Sequence, residues 1–327
     1  MHSTDGQEVK SQSAPAPAND APKDEAPKDE APKNEVTGIL WLASYPKSGN
    51  TWTRNFLHNL LNILEGKAED AQDINAMNEF TFWEISAKAY EKFLEKPVTE
   101  STREEIAAVR PKVQEMIAES TDGLAMVKTH HCLVMDRGVP AINLAVTAGA
   151  VYIVRNPLDV SISLANHISG TIDDAIRMME TRGLETAIGE RNVHEIYGSW
   201  SQHVESWTRK AHRGIYVMRY EDMLRDPMKI FGGLARHLLL NPKPDQLRLA
   251  IDRSAFDKLK EQEDKEGFRE KPDKAERFFR AGKSGEWHEK LSRRQVRQIV
   301  QMHHEQMRRF GYLTDDLKPL IGMKEPN

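Results

Sequence analysis

The chain has little of several features that would place it outside the cell or in a membrane. Among 327 residues there is one cysteine, Cys132, which excludes an internal disulfide. No apolar run approaches the roughly 20 residues that span a bilayer, and the first residues lack the basic start and apolar stretch of a secretory signal. We therefore expect a cytoplasmic protein without a transmembrane segment.

The chain also lacks an excess of positive charge and the residue patterns that are typical of metal sites. The 46 basic and 50 acidic residues leave a formal net charge of −4, which gives no general attraction for nucleic acid, so any phosphate site must be local. No HExxH pattern or cluster of Cys and His occurs, and we expect no metal. The adjacent His303 and His304 lie on a predicted helix whose face is otherwise polar, and they are expected to face solvent.

The first 35 residues differ in composition from everything after them. They are dominated by Ala, Pro, Lys, Asp and Glu, and the pentapeptide APKDE occurs twice in succession. Such a segment has almost no apolar surface to offset the entropy of ordering it. We expect a disordered tail over residues 1–35 and one folded domain over residues 36–320.

Short apolar runs separated by helical patterns predict the fold. Strands are expected at residues 38–44, 124–128, 150–154 and 215–219, and helices at 51–64, 158–168, 228–239 and 293–310. Asp159, Asp226 and Ser292 lie near the expected starts of the last three helices. Alternation of this kind favours an α/β single domain with a central, mostly parallel β-sheet flanked by helices.

The first strand runs directly into a loop suited to an anion. Residues 45–52 read YPKSGNTW and lead into a helix, whose free N–H groups and positive dipole end attract anions. Gly49 permits close backbone approach, Lys47 adds a charge, and Ser48 and Thr51 offer hydroxyl donors. The loop is not a Walker A motif, because GxxxxGK[ST] needs an earlier glycine and a lysine directly before Ser or Thr.

Three segments together resemble one family. Residues 45–52 resemble the P-loop-like 5′-phosphosulfate loop of the soluble, cytosolic-type sulfotransferases, which use 3′-phosphoadenosine 5′-phosphosulfate as donor co-substrate. A strand ending in Arg155 with Ser163 eight residues later resembles the second family segment, and FFRAGKSGEW at residues 278–287 resembles the third. Weaker similarities fill the gaps, so the resemblance extends over residues 39–310.

The resemblance implies a set of donor-binding residues. Lys47 would contact the sulfate and the leaving phosphate of the donor. The other donor-binding residues are the positions of this sequence that match the family segments. The 5′-phosphate would be held by Ser48, Gly49, Asn50 and Thr51, the 3′-phosphate by Arg155, Ser163, Arg280, Ala281 and Gly282, and adenine by Trp52, Tyr197, Ser254 and Phe256. Ala281 replaces the usual lysine there, and Arg155 could alternatively pair with Asp159 on the following helix.

The resemblance also implies sulfuryl transfer with a histidine general base. His130, at the end of a short strand, would take the acceptor proton, since imidazole suits this task near neutral pH. The adjacent His131 is the alternative, because successive strand side chains face opposite ways. Lys47 and Lys128 would support the departing oxygen, and Ser163 would hold Lys47 back until an acceptor arrives.

The acceptor and the assembly stay open at this level. We expect a small or lipid-like hydroxylated molecule, or an amine, with Phe80, Phe82, Trp83 and Tyr90 either lining its pocket or packing the core. The family's usual dimer motif after Trp287 is absent, so the oligomeric state is not predicted. Two other functions remain: a phosphate-loop kinase, and a non-catalytic protein that keeps the nucleotide pocket.

Overall fold

The computed structural model describes residues 36–67, 73–271 and 277–322. The expected tail at residues 1–35 lies outside the described residues and stays a prediction. Within the described ranges no helix is long and apolar enough to cross a membrane.

The described chain is an α/β fold. The strands are β1 Gly38–Ser44, β2 Phe82–Trp83, β3 Leu124–Thr129, β4 Met135–Asp136, β5 Val139–Pro140, β6 Thr147–Val154 and β7 Ile215–Arg219. The α-helices are α1 Asn50–Leu64, α2 Met77–Phe80, α3 Ala87–Leu94, α4 Arg103–Ala118, α5 Pro157–His167, α6 Ile172–Glu180, α7 Trp200–Thr208, α8 Tyr220–Arg225, α9 Pro227–His237, α10 Pro244–Arg253, α11 Phe256–Glu266, α12 Trp287–Lys290 and α13 Arg293–Arg309.

Five strands form one parallel sheet in the order β2-β3-β1-β6-β7, while β4 and β5 form a separate antiparallel pair. The four predicted strands are therefore confirmed, and the sheet is parallel as expected. Because β1 lies at the centre with β3 and β6 on either side, its carboxyl end is where loops from neighbouring strands converge. The candidate site lies at this edge.

The sheet has a core on each face, because side chains along a strand alternate. From β1, Ile39, Trp41 and Ala43 join one buried cluster, whereas Leu40 and Leu42 join the other. Helices α1, α9 and α10 cover the second cluster, and α4, α5, α7 and α13 contribute to the first. Burial on both faces explains why the central strands read as continuous apolar runs.

The expectation that Asp159 lies near the start of a helix is confirmed, since it is in the first turn of α5, whereas the expectation that His303 faces solvent is wrong. Helix α5 is capped by Asn156, whose side chain accepts from the Leu158 N–H, and Asp159 instead accepts from backbone N–H groups further along the chain. On α13, His303 is buried, and its Nδ1 lies 2.9 Å from Ser201 Oγ. The buried face of α13 contains Val296, Ile299, Val300, His303 and Met307, which is helical spacing for an inward-facing histidine.

The aromatic residues considered for an acceptor pocket divide between two roles. Tyr90 is fully buried and donates to Glu84 Oε1 at 2.6 Å, Phe80 stacks on His58, and Phe82 packs against the core. Trp83 alone of the four lines the main cavity. Three of them therefore serve packing.

Candidate active site

The loop after β1 has the geometry expected of an anion-binding turn. Gly49 caps α1 with φ of 110°, and a Cβ there would lie 2.8 Å from the Tyr220 ring. Asn50 Nδ2 donates to Leu42 O at 2.7 Å, so this side chain ties the loop to β1. The first N–H groups of α1 are left without intrahelical partners at the mouth of the loop.

A cavity of about 520 Å³ opens beside this loop. Fourteen of the predicted site residues line it: Lys47, Gly49, Asn50, Thr51, Trp52, Lys128, His130, Arg155, Ser163, Tyr197, Phe256, Arg280, Ala281 and Gly282. The sequence segments that resemble one family, although far apart in the chain, thus meet around a single space.

Two predicted residues lie off the cavity wall. Ser48 is buried, and its Oγ has no hydrogen-bond partner in the described part of the chain. Ser254 is also buried, and its Oγ donates to Ala250 O at 2.9 Å and Ile251 O at 3.1 Å. The Ser254 hydroxyl thus completes the end of α10 and does not line the cavity, and its contact with adenine stays a prediction.

Positive charge is concentrated at the loop end of the cavity. Burial first, and then the nearby charges of Lys128 and Arg155, lower the pKa of Lys47 to about 7. Arg155 donates to Lys47 O at 3.0 Å and Lys283 O at 3.2 Å, and its Nε is buried without a hydrogen-bond partner. These groups repel one another, so an anion placed between them would be favourable.

In the structure, Arg155 and Asp159 each form hydrogen bonds with other groups. Asp159 accepts from the N–H of Gly285 at 2.8 Å and of Trp287 at 3.2 Å, which fixes the third family segment to α5. Arg280, from that segment, forms an ion pair with Glu286. Both arginines line the cavity.

The Lys47 ammonium lies 3.9 Å from the centroid of the Phe278 ring. This is a cation–π distance. Ser163, expected to hold Lys47 back, lines the same cavity from α5. The contact that the structure gives Lys47 is thus with Phe278.

Lys128 belongs to an ion-pair network that sequence reasoning missed. Its Nζ lies 3.0 Å from Glu270 Oε2, and Glu270 Oε1 accepts from the buried Arg54 at 2.7 Å. Burial alone would raise the pKa of Glu270, but Lys128 and Arg54 outweigh it and hold this pKa at about 2. Glu270 lines the cavity, and it follows a strongly charged stretch in which no sequence signal distinguished it.

His130 is held by hydrogen bonds on three sides. Its Nδ1 lies 2.7 Å from Ser44 O, its backbone N–H donates to Glu195 Oε1 at 3.0 Å, and its carbonyl accepts from His203 Nε2 at 3.1 Å. A carbonyl can only accept, so Nδ1 carries the proton and Nε2 is the basic nitrogen. Burial, and then the charge of Lys128, lower the pKa of His130 well below its usual value, which keeps the ring neutral.

His131 faces away from the cavity. Its Nδ1 accepts from the Ile196 N–H at 3.1 Å, its Nε2 lies 3.5 Å from Glu84 Oε2, and the side chain is fully buried. Both ring nitrogens are therefore directed at protein groups. Of the two neighbouring histidines, His130 has the geometry of a base.

The two tyrosines near the cavity occupy different ends. Tyr197 packs edge-on to His130, with ring centroids 6.0 Å apart. Tyr220 packs edge-on to Trp52, also at 6.0 Å, and lies under the Arg155 guanidinium. Tyr197 and Tyr220 both line the cavity, and it is Tyr220 that lies beside Trp52, so the adenine contact expected of Tyr197 stays a prediction.

Among the described residues, no group of three or more His, Cys, Asp and Glu side chains is arranged to hold a metal ion. What the cavity combines is an anion-binding turn, several cations and a neutral imidazole with a free basic nitrogen. This set suits transfer of an anionic group to an acceptor that must lose a proton.

Comparison with known proteins gives a consistent assignment. A family model for the sulfotransferase domain matches residues 38–311. The 3-beta-hydroxysteroid sulfotransferase of Cavia porcellus is 26% identical over 172 residues, which is 49% of this chain and 56% of that protein. Sulfotransferase 1A1 of Canis lupus familiaris is 22% identical over 258 residues, 76% of each chain. The chain thus spans little more than half the length of the first relative.

A solved structure has the same fold. The crystal structure of mouse sulfotransferase SULT7A1 complexed with PAP superimposes with a TM-score of 0.56 at 20% identity, covering 86% of this chain and 87% of that one. The family match spans most of the chain, including every segment that forms the cavity. The chain belongs to the sulfotransferase domain family.

Proposed function

We propose that this chain transfers a sulfuryl group from 3′-phosphoadenosine 5′-phosphosulfate to a hydroxyl or amine of a small acceptor. The observation that carries the proposal is the meeting, in one cavity, of the neutral His130 imidazole with the cations of the phosphate-binding segments. Family membership and the PAP complex of the mouse relative support the same donor.

The loop and the two arginines would hold the donor nucleotide. The N-terminus of α1, with Gly49, Asn50 and Thr51, lines the space proposed for a 5′-phosphate. Ser48, whose side chain is buried off the cavity wall, would contact the same phosphate from within the loop. Arg155, Ser163, Arg280, Ala281 and Gly282 would hold the 3′-phosphate. An anionic ligand would accept a hydrogen bond from the unpartnered Nε of Arg155. It would also offset the mutual repulsion of the cavity cations.

Three aromatic rings would enclose the adenine. Trp52, Tyr220 and Phe256 line the cavity, and Trp52 packs edge-on to Tyr220. Tyr220 takes the role first expected of Tyr197. Replacing Tyr220 with Leu should weaken nucleotide binding by about tenfold, the effect of losing one aromatic contact of roughly 1 to 1.5 kcal/mol.

The reaction needs one proton transfer and one group transfer. The donor supplies a sulfuryl group on a phosphate leaving group. His130 Nε2 takes the acceptor proton as the new bond to sulfur forms, and the Ser44 carbonyl fixes the ring in the required tautomer. Lys47 is placed to neutralise the departing phosphate oxygen, and Lys128 supports the same region from its pair with Glu270.

The other readings have less support. A nucleoside-triphosphate kinase would use a Walker A loop, and residues 45–52 depart from that pattern. A nucleotide sensor without activity would have no need for the arrangement of Ser44, Glu195 and His203 around His130. Our proposal includes a cytoplasmic location, supported by the single cysteine, and a small hydroxylated acceptor rather than nucleic acid.

The donor assignment can be tested by calorimetric titration without magnesium. We compare PAP (3′-phosphoadenosine 5′-phosphate) with adenosine 5′-phosphate, which lacks the 3′-phosphate. PAP should bind at least about 100-fold more tightly, because charge-assisted contacts at the 3′-phosphate contribute on the order of 3 kcal/mol. Arg155→Met should remove most of this preference, whereas Arg225→Met, whose side chain is 74% exposed, should not. Absence of PAP binding would contradict the proposal.

A further inference from the structure

Part of the cavity wall is polar. Asn166, His167, Thr186 and Asn192 line the cavity, as His130 does, and we call these four residues the polar wall. None of them belongs to the segments assigned to the donor. An acceptor that reaches the basic nitrogen of His130 would share this cavity with them.

Thr186 is linked to the base through a chain of hydrogen bonds. Its Oγ1 accepts from the Glu195 N–H at 2.8 Å, and Glu195 Oε1 accepts from the His130 N–H at 3.0 Å. The Thr186 hydroxyl can still donate its own proton. Asn192, in the segment that follows Thr186, forms an isolated antiparallel β-bridge with Ser86. Its side-chain Nδ2 donates to Val193 O at 3.2 Å, and its Oδ1 can accept a hydrogen bond. The position of these polar groups relative to His130 is thus fixed by the backbone.

His167 contributes to the polar wall from helix α5. It lies four residues after Ser163 on α5, so both side chains project from one face of the helix. Its Nδ1 is buried without a hydrogen-bond partner among the described residues. Burial, with the charges of Lys47 and Lys128, lowers the pKa of His167 to about 4, so the ring is neutral and offers one donor and one acceptor.

The charged groups on this side are already paired. Glu270 is bound by Arg54 and Lys128, and Glu195 accepts from the His130 backbone. What remains available to an acceptor is a set of neutral donors and acceptors. An apolar acceptor would cover these groups without satisfying them, which is unfavourable for each group covered.

We propose that the acceptor is a polyol: a small, uncharged molecule whose additional hydroxyl groups hydrogen-bond to His167, Thr186 and Asn192 while one hydroxyl meets His130. This inference rests on the proposed sulfuryl transfer and narrows its acceptor. Trp83 and Ile85, which complete the wall, would contact the carbon skeleton. The hydroxysteroid named for the Cavia porcellus relative is not expected to be the preferred acceptor of this chain.

Acceptor preference can be measured as the PAP released at saturating donor. The probes are myo-inositol and sorbitol, compared with a 3β-hydroxysteroid and 2-naphthol, which each carry one hydroxyl. We expect kcat/KM for a polyol to exceed both single-hydroxyl values by at least about tenfold. The inference is overturned if the steroid or the naphthol is used as well as the polyols, or if neither polyol is used by a chain that binds PAP. A chain that does not bind PAP would instead overturn the proposed function.

Two variants separate acceptor recognition from folding. His167→Phe and Thr186→Val should each raise the KM for the polyol about tenfold while the Kd for PAP stays within about twofold. His167→Phe should also lower the KM for 2-naphthol. His237→Phe is the matched control, because His237 stacks on Tyr216 away from the cavity. An unchanged polyol KM in both wall variants would refute the assignment.

Discussion

Binding of PAP should draw a proton onto Lys47. The pKa of this lysine is lowered to about 7 by burial first, and then by Lys128 and Arg155. At pH 8 only about one in ten free molecules therefore carries a charged Lys47. A bound phosphate stabilises the charged form and raises this pKa, so about 0.9 proton should be taken up on binding at pH 8. Titration of Lys47 alone would leave the apparent Kd flat below pH 7 and raise it by up to about tenfold per pH unit above pH 7.

The measurement is calorimetry of PAP binding at pH 8 in HEPES and in Tris, whose ionisation enthalpies differ. At this pH the nucleotide phosphates are fully ionised, since their second pKa is about 6. The lowered pKa values of His130 and His167 keep both rings neutral there. Lys47→Met should bind PAP more weakly and without proton uptake. The reasoning is refuted if uptake is near zero in the native chain, or if the variant retains it.

Two further substitutions test the packing of the segment at residues 278–287 and a buried ion pair of Asp136. Gly282→Ala places a Cβ 2.2 Å from the Phe256 ring at a φ of 60°, so the Kd for PAP should rise at least about tenfold. Gly285→Ala is the matched control, because its φ is 86° and its Cβ would have its nearest contact at 4.0 Å. This control adds the backbone strain without the clash and should have a smaller effect on the Kd. Equal effects would disprove the packing argument. Asp136→Asn removes a fully buried carboxylate that pairs with a buried arginine, and urea denaturation should show a loss of about 3 to 5 kcal/mol. Asp315→Asn, 96% exposed, should change little, and a comparable loss there would contradict this account.

The central strands and the phosphate loop were predictable from sequence. Strand β1 has the predicted bounds, and so does β7, because strands of a parallel sheet form short apolar runs that end at turn residues. The helix after the loop begins at Asn50, one residue before its predicted start. Local chemistry decides all three features, so the sequence alone contains enough information.

The walls of the cavity were harder to assign. Tyr197 and Tyr220 both lie at or near the start of a helix, and only the order of strands shows which one reaches Trp52. Ser254 lies off the cavity wall, where its hydroxyl donates to carbonyls at the end of helix α10. Glu270 gave no signal, since its position depends on ion pairs with residues more than 100 positions away in the sequence. Pairings of this kind are set by the tertiary structure.

The central claim is that His130 is the base in sulfuryl transfer. Its direct test is the rate of PAP formation by His130→Ala, with the donor and the acceptor that the native chain uses fastest, together with the Kd for PAP. Our account predicts a loss of about 100-fold to 10,000-fold in kcat with a Kd for PAP within about threefold of native, because the substitution deletes the base and no phosphate contact. Turnover that survives the substitution, or a native chain that binds PAP and transfers sulfuryl to no acceptor, would contradict it.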